Sequence, residues 1–157
     1  MKLTLVWMGK TRERFVQDGL DKYARYLRHY VELDLKALKE EKIRDLRDAS
    51  AIRRKEAETI YKALPQGAPL IIALDERGEE LTSHEFAAFL NHVQETGSRE
   101  LVFILGGALG LDEAIREKAH KTIAMSRWTF THEMARLILL EQLYRAFTII
   151  TGKTYHY

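Results

Sequence analysis

The chain has 157 residues, 46% of them hydrophobic and 31% charged, values that suit a single globular domain spanning residues 1–157 and argue against disorder. Lys and Arg (25) nearly balance Asp and Glu (23), leaving +2, which excludes a histone-like, charge-driven polyanion binder but not a local basic patch. Cysteine is absent, which excludes disulfides, thiol catalysis and Cys-ligated metal centres; with no signal-peptide pattern or long apolar run, the expected location is the cytoplasm.

Short apolar runs alternate with amphipathic stretches. Leu3 to Met8 reads as a buried strand closed by Gly9. Phe15, Val16, Leu20, Tyr23, Tyr26, Leu27 and Tyr30 recur at helical spacing and predict a helix over 12–30. Residues 31–38 alternate apolar and polar, the pattern of a half-buried strand toward a sheet edge. A charged amphipathic helix is predicted over 45–64.

Leu70 to Leu74 and Leu101 to Leu105 are unbroken apolar runs, the mark of central parallel strands. Between them Thr82-Ser83-His84-Glu85 has the form of a capping box, opening a helix to about 95. A short helix over 111–118, a short strand over 121–125 and a long helix over 131–150 complete the chain. This alternation predicts an α/β fold with a mainly parallel sheet and helices on both faces. Ligands in such sheets sit at the carboxyl ends of the strands. Here those ends carry Asp75-Glu76-Arg77-Gly78, Gly106 to Gly110 and Ser126 to Thr129.

Several familiar motifs fail. Thr151-Gly152-Lys153-Thr154 lacks the glycine of a phosphate-binding loop, since Phe147 stands there. The Gly106–Gly110 turn is not G-x-G-x-x-G. The six histidines contain no H-E-x-x-H pair, so no metal site is expected. The glycine turn itself fits either close ligand approach or a tight packing turn. Trp128 and Phe130 read most simply as core anchors. The last helix is apolar around nearly its whole circumference, so it needs cover on two sides; the sheet supplies one, and a second subunit of a homodimer is expected to supply the other. Arg145 has Glu141 one turn away as a local partner. The tail from Gly152 to Tyr157 combines cation, hydroxyl, aromatic and imidazole groups, a set able to stack on a nucleobase, although termini usually fray.

Five segments together resemble a known family. They are Met1-Lys2-Leu3-Thr4-Leu5-Val6-x-x-Gly9-Lys10; Ile104-Leu105-Gly106-Gly107-x-x-Gly110-Leu111; Met125-Ser126-x-x-Thr129-Phe130-x-His132-x-x-x-Arg136; Glu141-Gln142-Leu143-Tyr144-Arg145-Ala146-Phe147; and Tyr155-His156. The chain resembles, along its whole length, the bacterial large-subunit ribosomal RNA methyltransferases that modify N3 of a pseudouridine, members of the SPOUT class. The resemblance implies the SPOUT α/β-knot fold with a C-terminal trefoil knot. It implies S-adenosylmethionine as methyl donor, held by Leu74, Asp75, Gly106, Gly107, Gly110 and the segment Met125, Ser126, Arg127, Trp128, Thr129, Phe130 and Thr131. It implies a homodimer acting on large-subunit rRNA within the assembled ribosome. His132, His156 and Tyr155 are the implied catalytic residues, either histidine serving as base or positioning group. Arg136, Arg145 and Lys153 are the implied RNA contacts.

The chain departs from the family pattern in three places. Thr131 replaces a proline before His132, and a threonine there is still expected to cap the helix. Ala108 and Leu109 stand where the glycine loop is usually more polar. Tyr157 ends the chain where a basic residue is common. A knotted tRNA methyltransferase and a non-catalytic ribosome-associated protein of the same fold are the alternatives.

Overall fold

The computed structural model describes residues 1–67, 69–98 and 100–155. Five strands and five α-helices alternate: β1 (Lys2–Met8), α1 (Arg14–Leu27), β2 (Glu32–Leu38), α2 (Ala49–Ala63), β3 (Leu70–Glu80), α3 (Ser83–Glu95), β4 (Glu100–Leu105), α4 (Glu113–Lys118), β5 (Lys121–Ala124) and α5 (His132–Ile150). The strands form one sheet in the order β2-β1-β4-β3-β5, every named pair parallel. The edge placement of β2 explains its alternating pattern, while β1 and β4 lie inside and are apolar on both faces.

Alternation along the strands divides the core in two. Leu3, Leu5, Trp7, Leu101, Phe103 and Leu105 face α1, α3 and α5, meeting Val16, Leu20, Phe86, Leu90, Leu139, Leu143 and Phe147. Val6, Met8, Ala73, Val102 and Ile104 face α2 and α4, meeting Ala57, Ile60, Leu111 and Ile115. Helix α5 packs against both α1 and α3. Among the described residues no helix is long and apolar enough to cross a membrane.

The helix starts follow local chemistry. Thr82 and Glu85 form the reciprocal capping box expected from their spacing. Asp112 caps α4, and the Thr131 hydroxyl accepts from the Met134 amide at 3.3 Å, so threonine does cap α5 in place of proline. Helix α1 is different: its own flanking residue makes no side-chain cap. Instead the Glu133 carboxylate of α5 accepts from the amides of Arg12 (2.9 Å) and Glu13 (3.0 Å).

The largest difference from the sequence reading is in β3. The apolar run ends at Leu74, but the strand continues to Glu80. Residues 75–78 shift out of register, and Glu79 and Glu80 pair again with Ile123 and Ala124 of β5. Gly78 lies directly on the β5 backbone: a Cβ there would stand 2.6 Å from the Ile123 nitrogen and carbonyl carbon. Only a residue without a side chain lets the two segments pass so closely.

Candidate active site

The carboxyl ends of β3, β4 and β5 bring the three expected loops to one rim. Leu74, Leu105, Ile123 and Ala124, all buried, give it an apolar floor. Met125 and Ser126 are half-buried, and Arg127 and Thr129 are exposed. Ser126 Oγ accepts from the Trp128 amide at 2.9 Å, and Arg127 Nε donates to Glu80 Oε1 at 2.8 Å. The loop is thus pinned at both Ser126 and Arg127 before Thr131 opens α5.

At this rim one expectation changes, the burial of Trp128, and two gain detail. The glycine turn is tight for its own sake: a Cβ on Gly106 would stand 2.6 Å from the Gly110 carbonyl carbon, and Gly110 takes φ +77°. Asp75 is engaged within the chain, accepting from the Arg77 amide and from Arg116 Nη1, each at 3.0 Å. Trp128 is not a core anchor: it is 81% exposed, while Phe130 is half-buried.

His132 opens α5 beside this rim and is half-buried. Burial, then the nearby Arg136 charge, holds its pKa below the ordinary histidine value, against the opposing pull of Glu133 and Glu40. Its imidazole is therefore biased toward the neutral form, which can accept a proton.

Arg136 is a correction. Expected at an RNA phosphate, it is 0% exposed. Its guanidinium turns inward, donating to the Thr11 hydroxyl at 3.0 Å and the Met8 carbonyl at 2.6 Å, and lies over the Trp7 ring at 5.4 Å. A side chain so enclosed does not reach a phosphate; it ties the β1–α1 turn to α5.

A second cluster gathers at the other end of α5. Arg145 Nη2 donates to Glu141 Oε1 at 2.6 Å, and its guanidinium lies 4.3 Å from the Tyr155 ring centre. The Tyr155 hydroxyl donates to the same Glu141 oxygen at 2.9 Å and lies 3.4 Å from the Tyr23 hydroxyl. Its ring packs against Tyr144 at 5.3 Å. The tail is therefore docked as far as Tyr155. Burial, then hydrogen bonds to Tyr23 and Glu141, pushes the Tyr155 pKa well above the ordinary phenol value. Tyr155 is thus a neutral donor rather than a base. Lys153 is exposed, its ammonium 5.0 Å from the Tyr30 ring centre. His156 lies outside the described residues.

Glu141 and Tyr23 complete this cluster. The i,i+4 spacing signalled the ion pair; nothing in the sequence signalled that Tyr23, 132 positions from Tyr155, would join it.

Comparison with known proteins places the chain. A family model described as "Predicted SPOUT methyltransferase" matches residues 1–156. The chain is 47% identical to the ribosomal RNA large subunit methyltransferase H of Geotalea daltonii over 157 residues, covering 100% of both chains. It belongs to the SPOUT methyltransferase family. The proteins of the same name from Geotalea uraniireducens (48%) and Geobacter sulfurreducens (46%) also match over all of both chains. A probable methyltransferase from Bordetella pertussis shares the fold, with a TM-score of 0.54 at 15% identity over 92% of this chain and 95% of that one. The fold of this methyltransferase is the α/β knot of its class.

The site fits a sulfonium nucleoside donor. The apolar floor suits adenine and thioether carbons, and the pinned loop backbone offers hydrogen-bonding groups at its edge. Among the described residues no three His, Cys, Asp or Glu side chains converge as metal ligands.

Proposed function

We propose that this chain is an S-adenosylmethionine-dependent methyltransferase of large-subunit rRNA, methylating N3 of a pseudouridine on the assembled ribosome in the cytoplasm. The full-length likeness to relatives named as ribosomal RNA large subunit methyltransferases supports the substrate class. The near-neutral charge accords with docking on a preformed ribosomal surface, where shape and a few phosphate contacts replace a large basic field.

One observation carries the reading of the site. Arg145 follows His132 by thirteen residues of continuous helix, a separation of about 20 Å. Reacting groups must come within about 3–3.5 Å. The donor rim and the Arg145–Tyr155 cluster of one chain therefore stand at opposite ends of α5, farther apart than the width of one base. A homodimer resolves this if the rim of one protomer faces the α5 end of its partner. Half-exposed Met134, Leu137, Tyr144 and Ile150 on α5 supply apolar surface for such an interface.

When bound, S-adenosylmethionine supplies an electrophilic methyl group on a sulfonium. The loops Leu74–Asp75, Gly106–Gly110 and Met125–Thr131 hold it, largely through backbone. Arg145, braced by Glu141 and Tyr155, binds the substrate nucleotide as a cation. As the new N–C bond forms and the S–CH3 bond breaks, N3 of the base must lose its proton, which His132, biased toward its neutral form, or His156 accepts.

The test is incubation of the purified protein with methyl-labelled S-adenosylmethionine and ribosomes lacking the modification, with free rRNA and bulk tRNA in parallel. Label at a large-subunit pseudouridine of intact ribosomes is the expected result. Label in tRNA moves the substrate to transfer RNA, and donor binding without label anywhere supports a non-catalytic protein.

A further inference from the structure

Exposed tryptophan is costly, because the indole is the largest apolar side chain and gains most from cover. This chain has two tryptophans, and the structure treats them oppositely: Trp7 is 4% exposed and Trp128 is 81% exposed. Trp128 stands on the loop that enters α5, at the rim where the donor is held. The ring is not loose on a mobile arm. Its own amide is held by Ser126 Oγ, the preceding Arg127 is fastened to Glu80, and three residues later Thr131 caps α5. The backbone is fixed and the indole is presented outward.

We propose that Trp128 stacks on an unpaired base of the rRNA substrate. This rests on the reading of the chain as an rRNA methyltransferase. Recognition of RNA loops relies on splayed bases stacked on aromatic side chains and guanidinium planes. Trp128 and its neighbour Arg127, whose side chain is 87% exposed, present one of each side by side. The flanks Ser126, Arg127 and Thr129 are polar, which suits a nucleic-acid contact. The core of a dimer interface is depleted of charge, and the half-exposed apolar residues of α5 have that character instead. The Met125–Thr131 loop holds the donor largely through backbone, which leaves the outward Trp128 ring a separate role. A ligand sunk against Leu74, Leu105 and Ile123 is reached by buried walls, whereas a ring so exposed offers its plane to a molecule arriving from solvent.

The test uses the full chain, with Trp128→Ala and Trp128→Phe. Binding to ribosomes lacking the methyl group is measured by co-sedimentation, donor affinity by calorimetry, and oligomeric state by analytical ultracentrifugation. Trp128→Ala is expected to weaken ribosome binding about ten-fold, the scale of one stacking contact. Trp128→Phe, which keeps an aromatic face, should recover most of it. In turnover the loss should appear as a raised KM for ribosomes. Unchanged ribosome affinity in Trp128→Ala overturns the proposal. So does a matching loss of donor affinity, which assigns the ring to the donor, or dissociation of the dimer, which assigns it to a second copy. A wild-type chain that sediments with ribosomes yet leaves their RNA unmethylated counts against the methyltransferase reading and leaves the Trp128 contact standing.

Discussion

Arg136, in the second turn of α5, donates from Nη2 to the carbonyl of Met8 at the end of β1, 2.6 Å away and 128 positions earlier in the chain. Met8 is 0% exposed, and so is Arg136. Water is excluded there, so the carbonyl has no alternative donor if the arginine is lost. Arg136→Ala should destabilise the fold by about 2–4 kcal/mol, combining a cavity with an orphaned acceptor. Arg136→Lys should cost less but not be neutral, since an ammonium cannot serve Met8 and Thr11 with the same planar fork. Urea unfolding followed by circular dichroism checks both.

Gly78 crosses the β5 backbone at a distance no side chain tolerates. Gly78→Ala forces a shift in backbone on one side or the other, because the opposing atoms are not the far end of a flexible side chain. The expected loss exceeds about 2 kcal/mol, with donor affinity falling in parallel because the same segment leads from Leu74 at the rim. Denaturation and calorimetry on the variant measure the two effects. An alanine at Gly78 that leaves both unchanged would show that the crossing is looser than described.

The split between the two ends of α5 makes a prediction about mixed dimers. Arg145→Ala and His132→Ala should each lower turnover at least ten-fold while retaining the fold, since neither side chain is in the buried core. If each active site draws His132 from one protomer and Arg145 from its partner, a dimer of one variant with the other has one intact site. Mixing and exchanging the two inactive proteins should then restore about a quarter of wild-type activity, because about half the dimers are mixed and each holds one good site of two. No recovery after verified exchange would place both residues in a site built from a single chain.

Glu56, whose carboxylate lies against Gly107, offers a pH test of stability. It is 6% exposed on α2 and accepts from the Glu41 amide at 3.2 Å. Burial, together with the neighbouring Glu40 and Glu41 charges, raises its pKa, and the Glu41 amide only partly offsets this. A carboxyl whose folded pKa is raised binds more protons in the folded state than in the unfolded one. Its contribution to stability is present below the ordinary glutamate pKa of about 4.5 and is lost as pH rises through the folded value. Glu56→Gln keeps an acceptor for Glu41 and removes the charge. It should raise the melting temperature at pH 7 by about 2–4 °C and flatten the pH dependence above 4.5. Thermal melts from pH 4 to 8 on both proteins measure this.

Much of this protein is legible along the chain because the signals are local. The two unbroken apolar runs are inner strands, the alternating run is an edge strand, and Thr82–Glu85 and Thr131 cap the helices that follow them. The loops at the carboxyl ends of the strands are located by the same alternation. A residue's neighbours three or four positions away decide such features, and periodicity reports them directly. The continuation of β3 past Asp75 was not legible, since its pairing depends on Ile123 and Ala124, more than forty positions on.

Tertiary structure alone decided where the long side chains point. Arginine and tryptophan each have both apolar and polar character, so either direction is open until acceptors or solvent choose. Arg136 turned inward because Met8 and Thr11 stand beneath it; Trp128 turned outward because its loop is pinned at Ser126 and Arg127. Spacing places His132 and Arg145 on one helix, but only the assembled fold shows each end packed in its own setting, about 20 Å apart. Periodicity states which face of an element is apolar, and it carries no information about which distant surface that face will meet.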